Sequence, residues 1–191
     1  YVIKEFDAKR YEFTLRETKT HEIIEDVSRL KSEIGVLYVS SKNEEVIMKM
    51  IHQNNLKFEE LFVEKPHVFI CYRHPLAEKS ALTLEDLEEY PYISFEQGEY
   101  NSFYFSEEIL STLDRQKNVK VSDRATLSNL MIGLNGYTVS SGRISKELNG
   151  ESIIARPLLV DEYMKIGTIT QKNVSLSRYG RAYMEALRSK S

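Results

Sequence analysis

Alternation marks the first element of the chain. Tyr11, Phe13 and Leu15 alternate with Glu12, Thr14 and Arg16, a period of two that predicts a strand over 11–17. The period then lengthens. Ile23, Ile24, Val27 and Leu30 recur at helical spacing and predict an amphipathic helix over 21–33. Thr20 is placed to be its N-cap, and Glu22, Glu25 and Asp26 fall in the early turns, where the helix dipole favours acids. Ile34-Gly35-Val36-Leu37-Tyr38-Val39 is a short apolar run rich in β-branched and aromatic residues. Strand, helix and strand in that order predict a parallel βαβ unit. Before it, Tyr1 to Phe6 has no initiator Met, basic segment or apolar run, so it does not read as a secretory signal. Val2, Ile3 and Phe6 share one helical face, so the chain reads as a piece of something longer.

The same alternation of periods continues. A helix over 44–53 turns Val46, Ile47, Met50 and Ile51 inward, and strands over 56–64 and 67–73 meet at Lys65-Pro66. Thr83-Leu84-Glu85-Asp86 predicts a capping box opening a short helix that ends before Pro91. Next come a strand over 92–95, a helix over 102–116 carrying Phe105, Ile109 and Leu113, and a strand over 119–121. A helix over 124–135 should bury Leu127, Leu130, Met131 and Leu134, with Gly136 as its C′ residue. Strands over 137–141, 152–159 and 162–171 and a helix over 175–188 (Leu176, Tyr179, Tyr183 and Leu187 on one side) close the chain. Two alternating β/α series predict two α/β units. No linker-like tract separates them, so the connection should run through strands, as a hinge.

Composition narrows the function. At 191 residues the chain is one domain or two small lobes, and 41% hydrophobic with 29% charged residues describes a folded protein. Lys plus Arg number 26 against 29 Asp plus Glu, a net charge of -3 that argues against a nucleic-acid surface. No apolar stretch approaches the roughly 18 residues of a spanning helix, so a cytoplasmic protein without membrane contact is expected. The single cysteine, Cys71, excludes an internal disulfide and sits in the apolar run Val68-Phe69-Ile70-Cys71-Tyr72 as a small buried hydrophobe. His21, His52, His67 and His74 are not spaced as metal ligands and read as surface or capping residues. Nucleophile elbow, phosphate loop and dinucleotide fingerprint are all absent from the sequence. No catalytic residue, metal or cofactor is expected, and an enzyme has no residue set to stand on.

Hydroxyl and short polar residues gather instead where strands give way to helices. Thr18 and Thr20 follow the first strand, Ser40 and Ser41 the second, and Tyr100, Asn101 and Ser102 the strand at 92–95. Ser122, Asp123 and Arg124 follow the strand at 119–121, and Ser140, Ser141 and Gly142 the next one. Each residue alone is explained by helix capping. Together, at the carboxyl ends of strands where α/β sheets collect ligands, they suit a small polar or anionic molecule.

Two stretches resemble a known family. Arg73-His74-Pro75-Leu76-Ala77, with Leu82-Thr83-Leu84-Glu85-Asp86-Leu87 and Tyr90-Pro91-Tyr92-Ile93, is similar to a segment of the effector-binding domain of LysR-type transcriptional regulators. Val121-Ser122-Asp123, followed by Leu127, Leu130, Met131, Gly133, Leu134 and Gly136-Tyr137-Thr138-Val139, resembles a second segment of that family. The resemblance implies an α/β fold of two Rossmann-like lobes, type 2 periplasmic-binding-protein-like, joined by two crossover strands near 68–74 and 160–168. Lobe I would take 1–72 plus 164–191, and lobe II 73–163. It further implies a small-molecule effector in the interlobe cleft, a homodimer with tetramers in the intact regulator, and DNA binding only through a winged helix-turn-helix domain before Tyr1. The family's pocket segments fall on Thr18, Thr20, Ser40, Ser41, Tyr100, Asn101, Ser102, Ser122, Asp123 and Arg124. Of these, Arg124 is the residue to neutralise an effector carboxylate. A solute-binding protein of a transporter, with the same two-lobed fold, is the alternative.

Overall fold

The computed structural model describes residues 12–98, 103–106, 108–144 and 150–189. In chain order they form α1 (Thr20–Ser28), β1 (Gly35–Val39), α2 (Glu44–Gln53), β2 (Leu56–Glu64), β3 (His67–Cys71) and α3 (Leu84–Leu87). These are followed by β4 (Tyr92–Phe95), a single 3-10 turn (Phe103–Phe105), β5 (Asn118–Val121), α4 (Arg124–Gly133), β6 (Thr138–Ser140), β7 (Ile153–Pro157), β8 (Met164–Gln171) and α5 (Arg178–Ser189). The expected helical face at Val2 to Phe6, and Tyr11, lie outside the described residues.

Strand β8 returns late in the chain to lie between β1 and β2, antiparallel to both. Its Ile169 is fully buried in a core with Ile24 and Val27 of α1, Leu37 and Val39 of β1, and Ile47 and Ile51 of α2. A second sheet has the order β6-β3-β7, and β4 pairs in parallel with β5. Main-chain bonds from Ile93 to Tyr137 and from Tyr137 to Pro91 tie that pair to the start of β6. The core of this half gathers Val68, Ile70, Leu82, Leu87, Tyr92, Tyr137 and Leu158. The chain passes between the two halves twice, at Lys65-Pro66 between β2 and β3 and at 158–163 between β7 and β8.

Local chemistry explains several element ends. Thr83 Oγ1 accepts the Asp86 N–H while Asp86 accepts the Thr83 N–H, the capping box that the sequence announces. Cys71 is buried, as expected of a small hydrophobe in β3.

Other expectations are corrected. Residues 12–19 form no strand, and 12–17 are exposed, Leu15 at 92%. Alternation becomes a strand only beside a partner, and no ladder is described for this segment; β1 takes β8 as its antiparallel neighbour, so the parallel βαβ unit is not formed. The segment is anchored through side chains, with Phe13 edge-on to Tyr179 of α5 at 5.1 Å and Arg16 Nε 3.2 Å from the buried Asp26. Lys19, not Thr20, is the N-cap of α1, and Thr20 is its buried first residue. The helix expected over 102–116 is broken: after the 3-10 turn, Leu110 adopts a left-handed φ of 63°, and Glu108 is folded back to accept the Phe95 N–H at 2.8 Å. Helix α4 stops at Gly133; Asn135 (φ 48°) takes the left-handed position assigned to Gly136, and Leu134 points outward. Gly136 is needed for contact instead, since a Cβ there would come within 2.5 Å of Ile93 Cδ1. Leu176 precedes α5, whose buried residues are Gly180 and Met184.

His74 is no surface histidine. It is 3% exposed, its Nδ1 accepts the Leu76 N–H at 3.1 Å, and its Nε2 lies 3.0 Å from the Asn135 carbonyl at the end of α4. Its ring also packs on Tyr90, with centroids 4.4 Å apart. The neutral ring with a proton on Nε2 makes both bonds; protonating Nδ1 breaks one of them. The histidine of the Arg73 to Ala77 stretch therefore ties the turn after β3 to the end of α4.

Helix α1 ends less comfortably. Arg29 is its C-cap; Leu30 donates to Val27 and Lys31 to Asp26, which is a Schellman ending with Leu30 at C′. Leu30 has φ 56° and is 59% exposed, so its side chain offers little packing in return for a conformation costing about 1 kcal/mol. The expectation that Leu30 continues the apolar face is thereby corrected.

Two predictions follow from these turns. Leu30→Gly should raise stability by about 0.5 kcal/mol, the relief of left-handed strain exceeding glycine's extra freedom in the unfolded chain; a lower urea midpoint for the variant would contradict it. Burial first, against the opposing Asn135 hydrogen bond, holds the His74 pKa below its ordinary 6.5. The unfolded chain then binds the extra proton first as pH falls. The contribution of His74 is complete above about pH 6.5 and is lost as pH drops from there toward the native value. Urea unfolding at several pH values should give native protein a steeper loss of stability between about pH 7 and pH 5 than His74→Gln.

Candidate functional site

A cleft of about 270 Å³ opens where three segments meet. Glu17, Thr18 and Lys19 enter from the approach to α1. Phe95 and Glu96 come from the end of β4, and Ser122, Asp123 and Arg124 from the turn between β5 and α4. Strands β4 and β5 run parallel, so both deliver their carboxyl ends to the same rim. This is the place where an α/β sheet presents free backbone groups and short polar side chains.

Two ion pairs cross the cleft. Arg124 Nε and Nη2 lie 2.7 and 2.6 Å from Glu17 Oε1, with the guanidinium carbon 5.9 Å from the centroid of the Phe95 ring. Lys19 Nζ lies 3.0 Å from Glu96 Oε1, while Glu96 Oε2 accepts the Gly98 N–H at 3.1 Å. The Lys19 hydrogen bond, then its charge, then the Gly98 amide hold the Glu96 carboxyl below the usual range. Gly98 has φ 60°, and a Cβ on it would stand 2.8 Å from Lys19 Nζ, so glycine both permits the turn and leaves the lysine its approach. The Arg124–Glu17 pair is well exposed to solvent (64% and 63%), where water and salt weaken it, whereas the Lys19–Glu96 pair is partly buried.

Asp123 has a second job. It is the N-cap of α4: its Oδ1 accepts the Thr126 N–H at 2.8 Å and its Oδ2 the Thr126 hydroxyl at 2.7 Å. The hydroxyl bond first, then the amide, hold its carboxyl below the ordinary value. Thr18 donates its hydroxyl to Glu22 of α1.

The residues singled out by sequence thus separate into groups. Thr18, Ser122, Asp123 and Arg124 line one cleft. Thr20 is buried under α1 and does not line it. Ser40 is buried, donating its N–H to Asn43 Oδ1 at 2.7 Å beside a separate, small cavity of about 10 Å³ lined also by Tyr38 and Glu108. Ser41 donates to Glu162 at 2.7 Å. Tyr100, Asn101 and Ser102 lie outside the described residues. Sequence reasoning passed over Glu17, Lys19, Phe95 and Glu96. The signal was there in the charges flanking Thr18 and in the Phe95-Glu96 pair ending a strand, but a search for hydroxyls does not see it. Among the described residues no group of three or more His, Cys, Asp or Glu is arranged to hold a metal ion, and no helix is long and apolar enough to cross a membrane.

Comparison with known proteins gives this geometry a context. The LysR substrate binding domain family matches residues 3–191. No curated protein matches the sequence. Among solved structures, HinK, a LysR family transcriptional regulator from Pseudomonas aeruginosa, superposes with a TM-score of 0.59 at 16% identity, over 92% of this chain and 58% of that one. The chain thus spans just under three fifths of the length of that regulator. The effector binding domain of QuiR, in complex with shikimate, matches with a TM-score of 0.60 at 20% identity, over 90% and 78% of the two chains. The reduced OxyR regulatory domain from Pseudomonas aeruginosa gives 0.60 at 15%, over 90% and 79%. At such identities the structural likeness speaks for the fold alone, the α/β, type 2 periplasmic-binding-protein-like fold; these neighbours are domains of transcriptional regulators rather than enzymes. With the family match running from residue 3 to the last residue, the chain belongs to the LysR substrate-binding domains, the effector-binding part of LysR-type transcriptional regulators.

Proposed function

We propose that this domain senses a small polar metabolite in the cleft between Glu17–Lys19 and the turns after β4 and β5, and passes the occupancy on to a DNA-binding domain elsewhere in the regulator. The observation that carries the reading is the cleft itself. Its near wall belongs to the half built on the β1-β8-β2 sheet, its far wall to the half built on β3 to β7, and the pairs Arg124–Glu17 and Lys19–Glu96 reach across it. In this reading the first lobe runs to Pro66 and resumes at Met164, the second takes 67–163 because β3 pairs with β6 and β7 rather than closing the first lobe at 72, and the passages at Lys65-Pro66 and 158–163 serve as the hinge.

A ligand shifts such an equilibrium only by its differential affinity for the open and closed states. Contacts made to both walls at once exist in the closed state alone, so a cleft-spanning effector favours closure. Closure changes the relative attitude of the lobes, and in a homodimer, or a tetramer of intact chains, that change alters the spacing of the DNA-binding domains. The shikimate complex of QuiR supports a small polar ligand as the kind of molecule such a domain takes. Thr18, Ser122 and Arg124 are the proposed contacts, with Asp123 shaping the α4 N-terminus rather than binding directly. The family match favours a regulator's sensor over a transporter's solute-binding protein.

A thermal-unfolding scan against a library of polar metabolites tests the reading. A true effector at about a hundred times its Kd adds about 2.7 kcal/mol, several degrees in a protein of this size. Arg124→Gln combined with Ser122→Ala should cancel the shift while the ligand-free melting temperature stays close to native. A shift that survives both substitutions would place binding outside this cleft.

A further inference from the structure

We infer that the cleft takes a zwitterion, a small molecule carrying one carboxylate and one ammonium group in the manner of an α-amino acid. The inference rests on the effector-binding reading above and names the ligand class of that same site.

The argument is the placement of charge. Each wall carries one acid and one base: Glu17 and Lys19 on the near side, Glu96 and Arg124 on the far side, joined crosswise at 2.6–3.0 Å. Asp123 adds a carboxylate whose two oxygens are engaged by Thr126, and Lys120 of β5 also acts on Glu96. Three acids and three bases thus bear on one small space. A purely anionic ligand that takes Arg124 displaces Glu17 and leaves that carboxylate facing its own negative charge. A purely cationic ligand that takes Glu96 likewise strands Lys19. A zwitterion avoids both penalties by inserting into the pair: its carboxylate accepts from Arg124, and its ammonium donates to the Glu17 carboxylate released by the exchange. Because Arg124 and Glu17 are each exposed by more than half, the pair they give up is weak in water, and closure around the ligand dries the replacement. The Phe95 ring beside Arg124 offers an apolar surface for the rest of such a molecule.

The test is thermal shift and calorimetry on the whole chain with the twenty common α-amino acids. The N-acetyl and carboxamide forms of each remove one charge at a time, and shikimate, succinate and 1,4-diaminobutane serve as probes of a single sign. At least one free amino acid should bind, and both blocked forms of it should bind at least tenfold more weakly. Glu17→Gln should weaken the free amino acid and narrow its advantage over the N-acetyl form; Arg124→Gln should remove binding. The ligand-free melting temperature of each variant reports its folding, and Glu96→Gln provides a second acid should Glu17→Gln lose stability. Binding of shikimate or succinate with none by any amino acid would overturn the zwitterion while leaving the effector cleft standing. No binding anywhere in the panel also overturns it. An amino acid that binds Arg124→Gln and Glu17→Gln as well as the native chain overturns the cleft reading itself.

Discussion

Strand β8 is the interaction on which the rest depends. Among the described residues β1 and β2 do not pair with each other and each bonds to β8, so this late strand supplies the ladder of the β1-β8-β2 sheet. Its Gly167 lets Phe58 and the Glu59 backbone of β2 come so close that a Cβ would stand 2.3 Å from the ring. Closing one half with a strand from beyond the other half obliges the chain to pass between the halves twice. The position of Glu17–Lys19 opposite Glu96 and Arg124 is a consequence of this threading, because those residues are separated by 77 and 107 positions in the chain.

The cleft is built economically from residues that also hold the fold. Asp123 caps α4, Gly98 shapes the turn that receives Lys19, and Phe95 continues a core strand. The groups that remain changeable are the two crossing ion pairs, of which Arg124–Glu17 is solvent-exposed and Lys19–Glu96 partly so. That division is physically apt for a sensor: the frame is held by burial, the mouth by interactions that a competing charge can replace. The motif around His74 belongs to the frame. Its ring links the turn after β3 to the end of α4, and no atom of it lines the cleft.

Much of the architecture was legible in the chain. The capping box at Thr83, the strands β2 to β5 and the helix at α4 show up as periodicity and punctuation, since their apolar positions are selected by the faces they bury. The strand expected over 11–17 was misleading because alternation states what a segment could do beside a partner strand, and among the described residues Leu15, at 92% exposure, has none. Leu30 and Leu110 misled for a different reason. A leucine reads as helix, yet surrounding hydrogen bonds force both into left-handed backbone, a cost that local propensity cannot reveal. At the candidate site, Ser122, Asp123 and Arg124 could be found because they follow one strand; that Glu17 and Lys19 face that strand's rim could not, because pairing across a cleft leaves no spacing to read.

The sequence by itself determined the α/β class, the order of most elements and the family, because helical and strand periods, caps and the stretches around His74 and Ser122 are local in the chain. The tertiary structure alone decided which turns share a cavity: it joined Thr18 to Arg124, sent Ser40 and Ser41 elsewhere, and set Glu17 and Lys19 against opposite charges. The physical reason is that periodicity encodes which face of an element is buried. Which element lies opposite is settled only when β8 closes the first sheet and brings distant segments to one rim.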